Sequence, residues 1–290
     1  MQILDGTAVS AHIKAQLKKE AEQLKAETGK VPHLAAILVG NNPASEAYVG
    51  SKVRTCEELG FGSTLLRFES DITEAELLEV IQKLNADKEI NGILVQLPLP
   101  AHISPDIIIN NIAPEKDVDG FHPISQGKML LGQPGFLPAT PYGILLMLEH
   151  YNIDTTGKHC VVIGRSNIVG TPMTVLMSRN ANPGNATVTI CHSKTKNLKE
   201  VVQTADIIVA AIGRPRFVTA DMVKEGAIVI DVGINRIDDA ARKSGSRLVG
   251  DVDFDNVAPK CSYITPVPKG VGPMTICGLM KNTLEAARQA

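Results

Sequence analysis

The stretch HCVVIGRSNIVG, residues 159–170, reads as an apolar run closed by Gly164 and followed by a second apolar segment. A short apolar run ending at glycine is the pattern of a parallel strand buried on both faces. Gly164 permits a tight turn, and the amides opening a helix from about Pro172 would face a phosphate. Five residues separate Gly164 from Gly170, so the loop is not GxGxxG, and by itself it fits a plain strand–turn–helix equally well. The chain beyond this loop favours the nucleotide reading. ATVTIC (186–191), a helix near Asn197, DIIVAAIG (206–213) and AIVIDVGI (227–234) continue the alternation of a doubly wound, Rossmann-type sheet. The strand ending at Cys191 runs into His192, Ser193 and Lys194, with no Asp or Glu at its tip. An acid there binds the ribose 2'-hydroxyl of NAD, whereas Ser193 and Lys194, with Arg165 in the glycine loop, suit the 2'-phosphate of NADP. The alternative is a solvated basic loop.

Upstream, the same alternation occurs once already. An amphipathic helix from Val9 to about Lys25 stops near Gly29 and precedes the buried run HLAAILVG (33–40). STLLRF (63–68), a capping box at TEAE (73–76) opening a helix to about Leu84, and the strand GILVQLPLP (92–100) ending at Gln96 come next. Strand, helix, strand, helix, strand implies a parallel sheet with right-handed crossovers and a ligand site beyond the strands' carboxyl ends. Thr140 followed by Pro141 reads as a helix cap with proline at the first helical position, which places a domain boundary near residue 140. A last helix, about Thr275 to Gln289, could return to the first domain. The expectation is an α/β protein of two doubly wound domains, 1–140 and 141–269, with 270–290 packing on the first.

Within the first domain, AYVGSKVRTCEELG (47–60) places Lys52 one helical turn after Tyr48, on a segment whose Val49, Val53, Cys56 and Leu59 look buried. A phenol and an ammonium stacked this way are either a snorkelling surface lysine beside a tyrosine or a tuned acid/base pair. Spacing does not choose between them. Lys52 and Gln96 both fall at or just after strand ends, where the fold puts ligands.

Composition narrows the field. A chain of 290 residues with a net charge of -2, 3% aromatics and no Trp offers neither a basic footprint nor a stacking platform for nucleic acid, so a small-molecule partner is expected. No stretch approaches the ~20 apolar residues of a membrane span, and the N-terminus lacks a basic segment leading into an apolar run. Five widely spaced cysteines without a CxxC read as reduced thiols in the cytoplasm. KDVDG (116–120) lacks the ligand spacing of a calcium loop, and the histidines form no HxxxH, so no metal is expected; these aspartates also fit a turn that supports its own backbone. TPVPKGVGPMT (265–275) reads as a rigid loop or a site wall.

The pieces YVGSK (48–52), VQLPLP (95–100), PEKDVDG (114–120), GRSNIVG (164–170), CHSKT (191–195), GAIVIDVGIN (226–235), YITPVP (263–268) and GPMT (272–275) together resemble the bifunctional methylenetetrahydrofolate dehydrogenase/cyclohydrolases, in that family's order and over nearly the whole chain. Two departures stand out. Lys269 replaces the first glycine of PVPGGVGP, and the loop at Asn182–Asn185 looks longer than usual. The resemblance implies NADP-dependent oxidation of 5,10-methylenetetrahydrofolate to the methenyl cation, then hydrolysis to 10-formyltetrahydrofolate, by a cytoplasmic homodimer. It implies that Lys52 is the acid/base lysine, Tyr48 its aromatic partner and a substrate contact, and Gln96 its support. Asp119 is implied to hold the pterin, Gly272 and Pro273 to line the substrate site, and Gly164, Arg165, Ser166, Ser193 and Ile234 to contact the cofactor. A dehydrogenase without the hydrolytic step and a non-catalytic NADP sensor are the alternatives. The first need not keep Lys52, Tyr48 and Gln96 together, and the second needs no folate pocket.

Overall fold

The computed structural model describes residues 1–239 and 245–290, and the chain divides into two compact units. One comprises Met1–Ser10 with Thr140–Thr275, the other Ala11–Ala139 with Ile276–Ala290. Strand β1 (Gln2–Ile3) belongs to the former, and helix α1 (Gly6–Thr28) begins there and continues into the latter.

The unit built on Ala11–Ala139 holds a three-stranded parallel sheet. Strand β2 (His33–Val39), whose residues after His33 are all buried, leads through α2 (Pro43–Leu59) to β3 (Gly62–Phe68) and through α3 (Glu74–Ala86) to β4 (Gly92–Val95). Sheet order is β3-β2-β4. The expected capping box opens α3: Thr73 Oγ1 accepts from the Glu76 amide at 3.2 Å, and Glu76 accepts from the Thr73 amide at 2.9 Å. Strand β4 is shorter than the apolar run around it, since Pro98 and Pro100 carry no amide for a ladder, although the Gln96 amide still donates to Ile37 at 2.9 Å. Ile37, Leu77, Ile81, Ile93 and Ile108 form this unit's core. Two short helices, α4 (Pro105–Asn110) and α5 (Pro123–Leu130), complete it.

Helix α6 (Ala139–His150) starts one residue before the expected cap, so Thr140 lies inside it, and its hydroxyl pairs with that of Thr275 at 3.0 Å. Strand β5 (His159–Ile163), α7 (Gly170–Ser178), β6 (Thr187–Cys191), α8 (Leu198–Gln203), β7 (Ile207–Ala210) and β8 (Ile228–Asp231) continue in the anticipated alternation. An antiparallel pair, β9 (Asn235–Asp238) and β10 (Ser246–Val249), a short helix α9 (Phe254–Val257), and β11 (Tyr263–Ile264) were not anticipated. The second sheet is parallel throughout, in the order β1-β11-β8-β7-β5-β6. Its crossovers reverse between β5 and β7, which puts the ligand crevice outside the carboxyl ends of those strands.

Two differences from the sequence reading have simple causes. Residues 1–10 lie with the second sheet, not with 11–139, because β1 pairs with β11 in parallel; a two-residue strand carries no periodicity to detect. The last helix, α10 (Val271–Gln289), starts four residues before Thr275, because Pro273 is tolerated in a first helical turn. Its length from Ile276 onward belongs with residues 11–139, whereas residues 270–275 lie with the other unit. Gly278 approaches Ala139 so closely that a Cβ would meet its carbonyl oxygen at 2.3 Å, and Cys56 Sγ lies 3.7 Å from Met280 Sδ. All five cysteines are buried free thiols, and burial pushes those of Cys56 and Cys160 up to about 12. Among the described residues, no helix is long and apolar enough to cross a membrane.

Candidate active site

Helix α2 is fixed at both ends. Asn42 accepts from the amides of Ala44 and Ser45 at 2.9 and 3.3 Å, Pro43 occupies the first turn, and Gly60 ends the helix in the left-handed region at φ 74°. The face so presented is not quite the expected one. Its buried line runs Ser45, Val49, Lys52, Cys56 and Leu59, while Val53 is only partly buried. Lys52 therefore lies on the core-facing stripe, and only 3% of it is exposed.

Its Nζ donates to Gln96 Oε1 at 3.1 Å and lies 4.7 Å from the centroid of the Tyr48 ring. Gln96 Nε2 donates to the Leu97 carbonyl at 2.8 Å, and a flipped amide would lose both contacts, so the oxygen is held toward the lysine. Burial lowers the Lys52 pKa from its ordinary value, and the charge of Asp119 opposes that shift. Burial raises the Asp119 pKa in turn, opposed by Lys52.

The two aspartates of KDVDG divide their work. Asp117, buried, accepts from the amides of Phe121 and His122 at 3.2 and 2.8 Å and ties the turn to its own backbone, as the local reading allowed. Its carboxyl is pushed up to about 6 by burial. Asp119 takes no part in that backbone bonding and feels Lys52 instead. Gly120 makes the turn possible: at φ 75° a Cβ would lie 2.6 Å from the Leu137 carbonyl carbon. The sequence reading missed Asn282 of α10, which donates to the carbonyls of Val118 and Leu137 at 2.8 Å each. An asparagine on the apolar face of the last helix was the available signal.

The glycine loop lies in the other unit. The Gly164 amide donates to Cys191 at 2.8 Å, joining the tips of β5 and β6, and at φ 124° a Cβ would meet the Ala211 oxygen at 2.1 Å. Ser166 Oγ accepts from the amides of Val169 and Gly170 at 3.1 and 3.4 Å as α7 begins. Beyond Cys191 the turn is closed by His192 and Thr195, with the His192 amide donating to Thr195 Oγ1 at 2.8 Å and the Lys194 amide to His192 Nδ1 at 3.2 Å. Arg165, Ser193 and Lys194 are left exposed on adjoining strand tips.

Ile234, 57% exposed after β8, lines a cavity of about 270 Å³ with Gly272 and Pro273, and Gly272 has open space up to Ile234 Cδ1. The expected residues thus form two groups: Tyr48, Lys52, Gln96 and Asp119 in one unit; Gly164, Arg165, Ser166, Ser193, Ile234, Gly272 and Pro273 in the other. Lys269 holds φ 85°, which explains why glycine is usual at that position. Among the described residues no cluster of His, Cys, Asp or Glu could hold a metal.

A glycine with no room for Cβ at a topological switch point, before a nine-residue helix, fits a dinucleotide. With a buried lysine held by an amide in a second α/β unit, these features define a nucleotide-dependent α/β enzyme. The chain belongs to the tetrahydrofolate dehydrogenase/cyclohydrolase family: its catalytic-domain profile matches residues 4–119 and its NAD(P)-binding-domain profile residues 138–290. The "Bifunctional protein FolD" of Cytophaga hutchinsonii is 62% identical over 287 residues, covering 99% of both chains. The structure of the bifunctional FolD enzyme, methylenetetrahydrofolate dehydrogenase/cyclohydrolase, of Campylobacter jejuni superposes with a TM-score of 0.93 at 51% identity, over 100% of this chain and 99% of that one. The Trypanosoma brucei dehydrogenase-cyclohydrolase, solved with NADP and an inhibitor, gives 0.93 at 36% identity, over 98% and 96%.

Proposed function

We propose that this chain oxidises 5,10-methylenetetrahydrofolate to the methenyl cation with NADP and hydrolyses that cation to 10-formyltetrahydrofolate. It would act as a cytoplasmic homodimer, without nucleic-acid or membrane partners. The observation that carries this function is the burial of Lys52 on the core-facing stripe of α2, with Nζ held by Gln96 and the Tyr48 ring. A solvated lysine is a poor base at neutral pH. Burial favours the neutral amine and lowers the lysine pKa, while Asp119 and the ring face favour the ammonium and oppose that shift. Hydrolysis needs such a group: attacking water loses a proton to the Lys52 amine, which returns it to the ring nitrogen as its C–N bond breaks, while the hydroxyl proton of the adduct leaves to solvent as the formyl C=O forms, the one net proton released. A bound methenyl cation would depress the lysine further. Asp119 accepts two N–H donors of the pterin edge, and Tyr48, Gly272 and Pro273 contact the substrate.

Oxidation is assisted by the nitrogens flanking the methylene carbon and needs orientation more than a base. Gly164, Arg165, Ser166, Ser193 and Ile234 would hold NADP, which supplies the hydride acceptor when bound. The corresponding domains are a folate-binding catalytic domain, 1–140 with 270–290, and an NADP-binding domain, 141–269, apart from residues 1–10, 140 and 270–275, which group with the second sheet. The test follows NADPH formation and methenyl decay with purified protein. Absence of either, in folded protein, removes that half of the proposed function.

A further inference from the structure

Among the described residues outside the candidate site, Asp251 is a carboxylate with no exposed surface that accepts four hydrogen bonds. Its Oδ2 accepts from the amides of Ile212 and Gly213 at 2.7 and 3.0 Å, and its Oδ1 from the Arg214 amide at 2.8 Å and Asn235 Nδ2 at 2.9 Å. The first three come after β7; Asn235 comes after Ile234 in the segment beyond β8. One carboxylate thus ties together the segments leaving the carboxyl ends of two adjacent strands. It is itself held in place, its own amide donating to Asp231 Oδ1 at 2.9 Å, while Asp231 also accepts from Gly233 at 3.0 Å and Val252 at 2.9 Å. The packing leaves no slack: a Cβ on Gly233 would lie 2.3 Å from Asp251 Oδ1. The β7 segment begins at Ala211, whose oxygen occupies the space beside Gly164.

We infer that Asp251 is the positioning residue of the nucleotide crevice, fixing Ile212–Arg214 and Ile234–Asn235 against the Gly164 turn so that the nicotinamide-bearing cofactor meets a preformed wall. The inference rests on the proposed use of NADP. Four donors converge on one carboxylate, two on each oxygen, so every contact requires an acceptor. In Asp251→Asn one oxygen becomes an NH2 facing amide hydrogens, so two of the four bonds are lost and both segments loosen.

The experiment measures both activities on one preparation, with hydrolysis assayed without NADP. Asp251→Asn should raise the KM for NADP about tenfold or more while hydrolysis stays within about twofold of wild type. Asn235→Ala, which removes one half-buried donor, should raise the same KM by a few fold, and it carries the test if Asp251→Asn does not fold. Equal loss of oxidation and hydrolysis would make Asp251 a general structural pillar, and an unchanged KM in both variants would overturn the inference outright. Wild-type protein that oxidises its substrate with no NADP dependence would instead overturn the cofactor assignment, a separate failure.

Discussion

Lys52 Nζ donates to Gln96 Oε1 across 3.1 Å, from the buried stripe of one helix to the residue just past the end of a strand. The bond brings the proposed proton carrier to the carboxyl end of a parallel sheet, where α/β folds place their chemistry. Lys52→Met keeps the bulk and removes the proton, so methenyl hydrolysis should vanish while oxidation falls less. The buried charge also opposes folding. Because the native pKa of Lys52 lies below its ordinary 10.5, stability from this group rises with pH between those two values. Lys52→Met should therefore melt no lower than wild type at neutral pH, with any gain shrinking as the pH approaches the ordinary lysine range. Undiminished hydrolysis by folded mutant protein would end the proposed role.

The orientation of the Gln96 amide supports a second test. Gln96→Glu would place a carboxylate beside Nζ and stabilise the ammonium, raising the lysine pKa. The rise of the hydrolysis profile should move to higher pH, and the rate at neutral pH should fall. A profile that stays in place would mean the lysine is not the group being titrated.

Asp119 has no part in the backbone bonding by which Asp117 closes its turn, and that freedom motivates Asp119→Ala. Folate affinity should drop by about 1.5 to 3 kcal/mol for each charged hydrogen bond lost, with NADP affinity nearly unchanged. Calorimetry showing unaltered folate binding would return Asp119 to a turn residue.

Periodicity and turn chemistry made the central strands legible, because His33–Val39 and His159–Ile163 are apolar runs closed by glycines. Periodicity left the Lys52 face ambiguous: Val53 and Lys52 are neighbours, and a rotation of one residue decides which faces the core. The resemblance selected the lysine; the helix register then showed why it is buried. Strands β1 and β11 were invisible because each has two residues, too few for any periodicity, and β1 takes its meaning from a partner about 260 positions away. Asp251 was missed for a related reason. Its partners are mostly backbone amides, which have no residue identity to read, and the trace in the sequence is an acid between Gly250 and Val252 in GDVD (250–253).

The cofactor preference can be read from charge at the strand tips. Gly164 bonds to Cys191, so Arg165 and the turn carrying Ser193 and Lys194 leave neighbouring strands side by side, exposed and without an acid among them. No carboxylate there repels a 2'-phosphate or claims a ribose hydroxyl. If Arg165 makes a forked contact with that phosphate, Arg165→Ala should weaken NADP by about 1.5 to 3 kcal/mol and leave NAD use nearly intact. Lys194, exposed at the turn, should matter less and depend more on salt. Steady-state kinetics with each cofactor, for wild type and Arg165→Ala, separates the cases: equal efficiency with NAD and NADP in the wild type, or an equal loss of both in the mutant, would leave the phosphate site without support.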